Sequence, residues 1–139
     1  MKRFAVVVAA TVALALAGCS GSTGGSGADS AAQKAEYEQQ LNRGFEMLRE
    51  QRYADAKGLF AEMAQKYPED GTVALALGVS HHELGEWDAA ETQYKKAVQY
   101  GKGTGVKETI ENGESKQAST TIDQLGSQNL EKLSQDRPK

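Results

Sequence analysis

Residues 74–97 read ALALGVSHHELGEWDAAETQYKKA, and the landmark residues of this stretch occur twice in the chain. A shift of 34 residues places small residues on small residues and aromatic residues on aromatic residues. The matching pairs are Gly44 and Gly78, Tyr53 and Trp87, Ala56 and Ala90, and Phe60 and Tyr94. An internal period of this length predicts a repeat protein built from helix–turn–helix units.

Hydrophobic periodicity predicts four helices, near residues 31–50, 53–67, 71–84 and 87–100. Pro68 ends the second helix, and Asp70 is a suitable N-cap for the third. Gly85 suits the position just after a helix, where the chain turns back. Ser30 and Gln33 have the spacing of a capping box at the start of the first helix.

The repeated residues have a packing role. Gly44 and Gly78 let two antiparallel helices approach closely, because no side chain intervenes. Alanines 56 and 90 do the same from the facing helix. We expect the four aromatic residues to fill the volume between the helices and to carry no chemistry: Tyr53, Phe60, Trp87 and Tyr94.

This pattern resembles the tetratricopeptide repeat (TPR) family over about residues 37–104. The second repeat carries the family pattern at Leu77, Gly78, His81, Gly85, Trp87, Ala90, Tyr94 and Ala97. The first repeat carries it in its second helix, at Tyr53, Ala56, Phe60 and Pro68, and departs from it at Gln40 and Arg43. The resemblance implies an all-α fold of two TPR helix–turn–helix repeats and a C-terminal capping helix.

The chain then divides into four parts. Because Leu16-Ala17-Gly18-Cys19 resembles the lipobox of bacterial lipoproteins, we expect residues 1–18 to be a lipoprotein signal peptide and residues 19–30 to hold the lipidated cysteine and a Gly/Ser tether. Residues 31–102 form the TPR domain. Residues 103–139 form a linker and a C-terminal capping helix or tail.

The TPR resemblance implies that the first helix of each repeat lines a concave groove for a partner segment. The expected lining is Leu41, Phe45, Leu48, Arg49, Leu75, Val79, His82 and Glu83. A helix that is apolar on two faces is either buried on both or presents one of them for binding. Two interpretations therefore stay open: a partner peptide fills the groove, or the C-terminal segment covers it.

Something must cap the two repeats, because about three repeats are usually needed for stability, and the C-terminal segment is one candidate. It is poor in apolar side chains and begins with a loose linker, Gly101 to Gly105. A helix is predicted between Ser119 and Ser134, starting at Ser119 or Thr120, from four apolar residues near helical spacing: Ile122, Leu125, Leu130 and Leu133. A frayed tail is predicted from Asp136 onward. A homodimer would solve the same problem as a cap.

The first residues have the composition of an export signal, with positive charge at Lys2 and Arg3 and an apolar run from Phe4 to Ala17. The run is too short for a comfortable bilayer span. Leu16-Ala17-Gly18-Cys19 resembles the lipobox of bacterial lipoproteins, which implies cleavage before Cys19 and lipid on its sulfur. The alternative is an ordinary secretory signal. The following Gly/Ser-rich residues predict a tether with a reach of roughly 17–20 Å.

The resemblance to lipoproteins also implies a location. Ser20, not Asp, follows the cysteine, which is compatible with the outer membrane, facing the periplasm, in a two-membrane host. In a single-membrane host the anchor faces outward from the cell membrane. We expect an interaction module that serves as a scaffold or assembly helper for a cell-envelope complex, similar to pilotins and outer-membrane-assembly lipoproteins. The alternatives are a structural subunit with a self-occupied groove and, with less support, a small-molecule carrier.

Composition and motifs exclude other classes. The net charge of −3 gives no electrostatic basis for binding nucleic acid, and one cysteine permits no internal disulfide. His81 and His82 point about 100° apart on a helix, so the pair cannot chelate one metal ion together. Because no catalytic motif is present, we expect no enzyme activity, no metal and no cofactor apart from the covalent lipid on Cys19.

Overall fold

The computed structural model of the chain describes residues 6–9, 27–111 and 113–138. Cys19 and the rest of the predicted lipobox lie outside these residues. Five helices and three strands occur in the described part. The helices are α1 (Gly27–Arg49), α2 (Tyr53–Lys66), α3 (Gly71–Glu83), α4 (Trp87–Tyr100) and α5 (Ile122–Asp136). The strands are β1 (Val6–Ala9), β2 (Gly105–Glu111) and β3 (Glu114–Thr121).

The four predicted repeat helices are confirmed as α1 to α4. Asp70 caps α3 as predicted, since its Oδ1 accepts hydrogen bonds from the backbone N–H groups of Thr72 (2.8 Å) and Val73 (2.9 Å). Gly85 has the predicted left-handed backbone, with φ of +75°. The start of α1 differs, because the helix begins at Gly27. Ser30 therefore lies inside α1, and its assignment to a capping box is wrong.

The two repeat glycines make the close helix contacts that their positions predict. A Cβ on Gly44 would lie 2.3 Å from Cζ of Phe60, and one on Gly78 would lie 2.7 Å from Cδ1 of Tyr94. Phe60 and Tyr94 are almost fully buried. Each repeat thus pairs its two helices through the same contact of an aromatic ring with a glycine.

A three-stranded antiparallel sheet, in the order β1-β2-β3, is the main addition to the predicted helical fold. Strand β1 places Val6 opposite Glu111 and Ala9 opposite Glu108. Strand β3 is polar and largely exposed along its length, so it lacks the alternation of apolar residues that identifies a strand in sequence. The protein remains mainly α-helical.

Helix α5 confirms the predicted C-terminal helix and packs against α4 and α3. It begins at Ile122, after the cap residue Thr121, so the prediction of Ser119 or Thr120 as the cap is wrong. The Thr121 backbone N–H donates to Oε1 of Gln124 (3.2 Å). A Cβ on Gly101 would lie 2.2 Å from Cγ2 of Ile122. The helix therefore starts directly against the end of the second repeat.

Candidate functional site

The apolar stripes that the sequence predicts as a groove are present on α1 and α3, but they are covered. The fractional exposures are 4%, 4%, 2%, 1% and 1% for Leu41, Phe45, Leu48, Leu75 and Val79. Helix α3 is buried continuously from Gly71 to Ser80, so neighbours enclose it on all sides. Its neighbours include α2, α4, α5 and β1.

Residues of β1, and of the hairpin formed by β2 and β3, also belong to the surroundings of these helices. Strand β1 contacts both α3 and α1. From β2, Val106 and Ile110 enter the same hydrophobic core as the helices. The end of the β2–β3 hairpin lies against the end of α1, where Nη2 of Arg49 donates to Oγ of Ser115 (3.2 Å). Parts of this chain therefore lie against these faces: β1, which was not predicted, and residues of the C-terminal segment, one of the two occupants that the sequence leaves open.

Phe45 does not belong wholly to the groove. Its ring centroid lies 5.8 Å from that of Phe60 on α2, with the ring planes inclined by 52°. Phe45 follows Gly44, which lies against the Phe60 ring, so its side chain packs partly inside the first repeat. Its assignment as a groove residue is corrected to a residue shared between the repeat core and the groove.

His82 is directed toward α4 and α5, so its assignment to the groove rim is wrong. Its Nδ1 lies 3.1 Å from the Tyr94 hydroxyl, and its Nε2 lies 3.1 Å from Oδ2 of Asp136. The ring also makes an edge-on contact with Trp87, at 5.5 Å between centroids. A buried imidazole needs partners for both nitrogens, and α4 and α5 provide them. His82 thus joins α3, α4 and α5.

His81 has a different set of partners at the end of α3. Its Nδ1 lies 2.5 Å from Oε2 of Glu86, and Oε1 of Glu86 accepts a hydrogen bond from Nζ of Lys57 (2.7 Å). The hydrogen bond from Lys57, and after it the one from His81, lowers the pKa of the Glu86 carboxyl. This cluster connects the second helix of the first repeat to the turn of the second repeat. The two histidines therefore serve separate contacts.

Arg49 is the predicted rim residue that remains accessible, with 37% of its side chain exposed. It also pairs with Glu46 at 2.7 Å, so it is held at the edge of the covered groove. Glu83, the other predicted charge, lies near Tyr53, since its charge adds to burial in raising the pKa of that phenol. On α1, Oε1 of Glu38 is buried and has no hydrogen-bond partner among the described residues.

Two features of the site differ from the sequence-based expectation. Asp136 lies in the predicted frayed tail, and only the fold brings it to His82. The hairpin that reaches Arg49 did have a sequence signal, because Asn112-Gly113 is a preferred dipeptide for a tight β-turn. Gly113 has φ of +82°, as such a turn requires. The residues before and after this dipeptide are mostly polar, so the sequence pattern did not predict the two strands.

Alkaline pH is expected to destabilise the domain through its buried tyrosines. Burial raises the pKa of Tyr94 well above 10.0, and burial together with the hydrogen bond to Asp70 raises the pKa of Tyr37. Both phenols stay protonated in the folded state but ionise near pH 10 when unfolded. Their stabilising contribution is thus complete below about pH 10 and is lost above it.

Urea unfolding at increasing pH, read together with tyrosinate absorbance, measures this effect. Tyr94→Phe should lower stability at neutral pH and lose less of it between about pH 9 and pH 11. Ionisation of all five tyrosines near their ordinary pKa without unfolding would contradict the expectation.

The described residues contain no group of three or more His, Cys, Asp or Glu side chains placed to hold a metal ion. Among them, no helix combines the length and the apolar character needed to cross a bilayer.

Comparison with known proteins gives one match. The family model described as "Tetratricopeptide repeat" matches residues 47–103, from the end of α1 through α4. No curated protein and no solved structure matches the chain.

Proposed function

Because the chain is a tetratricopeptide repeat protein over residues 47–103, we propose that it is an interaction module held at a membrane by lipid on Cys19. Its role would be that of a scaffold or assembly helper for a complex of the cell envelope. TPR domains generally bind protein partners and are typically not catalytic, which agrees with the absence of a recognisable catalytic motif in the sequence.

The observation that carries the interaction role is the second apolar face of α1 and α3. Leu41 and Leu75 lie on this face, three positions before the repeat glycines Gly44 and Gly78, and both are buried. Strand β1, which lies outside the two repeats, contacts both helices, and Val106 and Ile110 of β2 belong to the same hydrophobic core. The repeats leave this surface apolar, and a separate element covers it. Such a surface can bind either that element or a segment of a partner protein.

The sequence supports the anchoring. Cys19 is the only cysteine and ends the lipobox-like Leu16-Ala17-Gly18-Cys19. Helix α1 begins at Gly27, within the segment predicted as a tether. Residues 30–36 of α1 are exposed, so the start of this helix adds a rigid spacer of about 10 Å. The repeats would stay close to the membrane surface.

The structural alternative also has a specific observation in its favour. Val106 and Ile110 are buried in the same core as the repeats, so residues of this chain can themselves cover much of the groove. In that case the protein would act as a spacer or subunit and would be recognised through its outer surface. A test must therefore change the groove rim without disturbing the core.

Crosslinking in intact cells, followed by mass spectrometry of the purified chain, tests the proposal. The wild type is expected to begin at Cys19, to carry acyl chains there and to yield a crosslinked envelope protein. Cys19→Ala should retain its leader and lack the acyl mass. Arg49→Glu should lose the partner at least tenfold, because it reverses a charge on the groove rim. Arg43→Glu, on the same helix but exposed beside Arg52 and Asp55, is the matched control and should keep the partner.

A wild-type chain that keeps Met1, or one cleaved without lipid, would contradict the anchoring. A partner that Arg49→Glu and Arg43→Glu retain equally would contradict the groove as the binding surface and favour the structural alternative. Circular dichroism must first show that all three variants are folded.

A further inference from the structure

The place that β1 occupies in the structure is an acceptor site for an extended strand. Val6 to Ala9 pair antiparallel with residues 108–111 of β2, and β1 also contacts α1 and α3. The strand therefore lies where the edge of the sheet meets the apolar faces of two repeat helices. We call this place, bounded by residues 108–111 of β2 and by α1 and α3, the strand slot.

The occupant of the slot comes from the predicted leader. Val6 to Ala9 lie within the apolar run that precedes Cys19, and cleavage before Cys19 would remove them. The opening of the slot therefore rests on the proposed function, because it requires cleavage before Cys19. After cleavage β2 becomes the edge of a two-stranded sheet, and half of its backbone groups at residues 108–111 lose their partners. An open strand edge of this kind is a template for pairing with another chain.

We propose that the processed protein binds its partner by β-strand addition: an extended segment rich in β-branched and small residues enters the strand slot and pairs with β2. The chemistry of the segment follows from the present occupant, Val-Val-Val-Ala. Backbone hydrogen bonds to β2 supply affinity, and the apolar faces of α1 and α3 select small or β-branched side chains.

A second copy of the chain is a poorer occupant. Pairing β2 with β2 of another molecule would bring the second set of helices into the space beside the first, since β1 contacts α1 and α3 directly. The outer strand β3 is not an equivalent site. It is polar and largely exposed, and it carries Lys116, a residue type that discourages pairing at an edge.

The test uses a synthetic peptide with the sequence of residues 2–10, Lys-Arg-Phe-Ala-Val-Val-Val-Ala-Ala, in which the two basic residues help solubility. It is titrated into the processed chain purified from membranes, and amide hydrogen exchange locates the contact. Protection is expected in residues 108–111. The full chain made by cell-free synthesis without membranes is the comparison, because its slot is already filled, and it should bind the peptide at least tenfold more weakly.

Two altered peptides keep the protein, and hence its fold, unchanged. They carry proline at the place of Val7 or of Val8. Successive N–H groups of a strand point to opposite edges, so only one of these two positions donates to β2. One proline peptide should bind at least tenfold more weakly than the parent peptide, and the other should lose less.

Equal binding of all three peptides, protection outside residues 108–111, or no binding to the processed chain would overturn strand addition and leave the proposed anchoring intact. A purified chain that retains its leader would overturn the anchoring and, with it, the opening of the slot. A shift in sedimentation with increasing concentration of the processed chain alone, together with protection of residues 108–111, would overturn a separate partner and assign the slot to a second copy.

Discussion

Replacing Gly44 with alanine is expected to lower the free energy of unfolding by about 1–3 kcal/mol, the usual cost of forcing volume into a packed core. The new Cβ would lie 2.3 Å from Cζ of Phe60, and two further ring carbons lie within 3.0 Å of it. Phe60 is fully buried and packs against Phe45, so its ring has little room to move aside. The preference of helices for alanine, about 1 kcal/mol, opposes this loss and is already included in the range.

The matched control is Gly58→Ala. Gly58 lies inside α2 and is exposed, and a Cβ added there would meet no atom within 4 Å. Alanine there should raise the free energy of unfolding by about 0.5–1 kcal/mol. Urea unfolding monitored by circular dichroism compares the two variants. A second substitution, Phe60→Leu, should recover part of the loss in Gly44→Ala, since neighbouring sites are not additive. Similar stabilisation by both alanines would show that α1 and α2 do not approach closely at Gly44.

Deleting residues 122–139 is expected to unfold the two repeats. Helix α5 buries Ile122, Leu125 and Leu133 against α4 and α3, and each such side chain contributes about 1.5–3 kcal/mol. Their sum is comparable with the whole stability of a small domain, about 5–15 kcal/mol. The deletion also removes Asp136, a partner of the buried His82 imidazole. Far-ultraviolet circular dichroism and the loss of cooperative melting measure the result.

Single substitutions in α5 compare the contribution of a buried side chain with that of an exposed one. Leu125→Ala should cost about 2–5 kcal/mol, because its side chain is buried in the contact with the repeats. Glu131→Ala, exposed on the same helix, should change stability by no more than about 0.5 kcal/mol. A shortened chain that keeps its helical signal and melts cooperatively would show that the repeats stand without α5 and that its removal only opens a surface.

The repeat helices were predictable because their signals are local. The glycine and aromatic residues recur at a fixed period, and Asp70 and Gly85 mark helix ends by backbone chemistry that does not depend on distant residues. Helix α5 was predictable for the same reason, since its buried apolar residues share one helical face. The start of α1 was less well predicted. Gly27 belongs to a run of glycines and serines that favours a flexible chain, whereas the alanines and charged residues after it favour helix.

The sheet was not predictable to the same degree, because its signal is distributed. Strand β3 has few apolar residues, and β2 has only two buried apolar residues, Val106 and Ile110, which are too few to define an alternating pattern. The pairing of the two strands is also irregular between Val106 and Glu108, where β3 contributes an extra residue. The pairing of β1 with β2 joins residues about one hundred positions apart, and no local pattern encodes it.

The sequence by itself determined the two repeats, their glycine and aromatic contacts, and the existence of a second apolar face on α1 and α3. Only the tertiary structure decided what lies on that face and where its polar neighbours point. His82 shows why: helical periodicity places it beside Leu75 and Val79, yet Tyr94 and Asp136 satisfy both of its ring nitrogens on the other side. Periodicity defines which residues share a helix face, but the cover of that face depends on long-range packing, in which small differences in burial and hydrogen bonding select one neighbour over another.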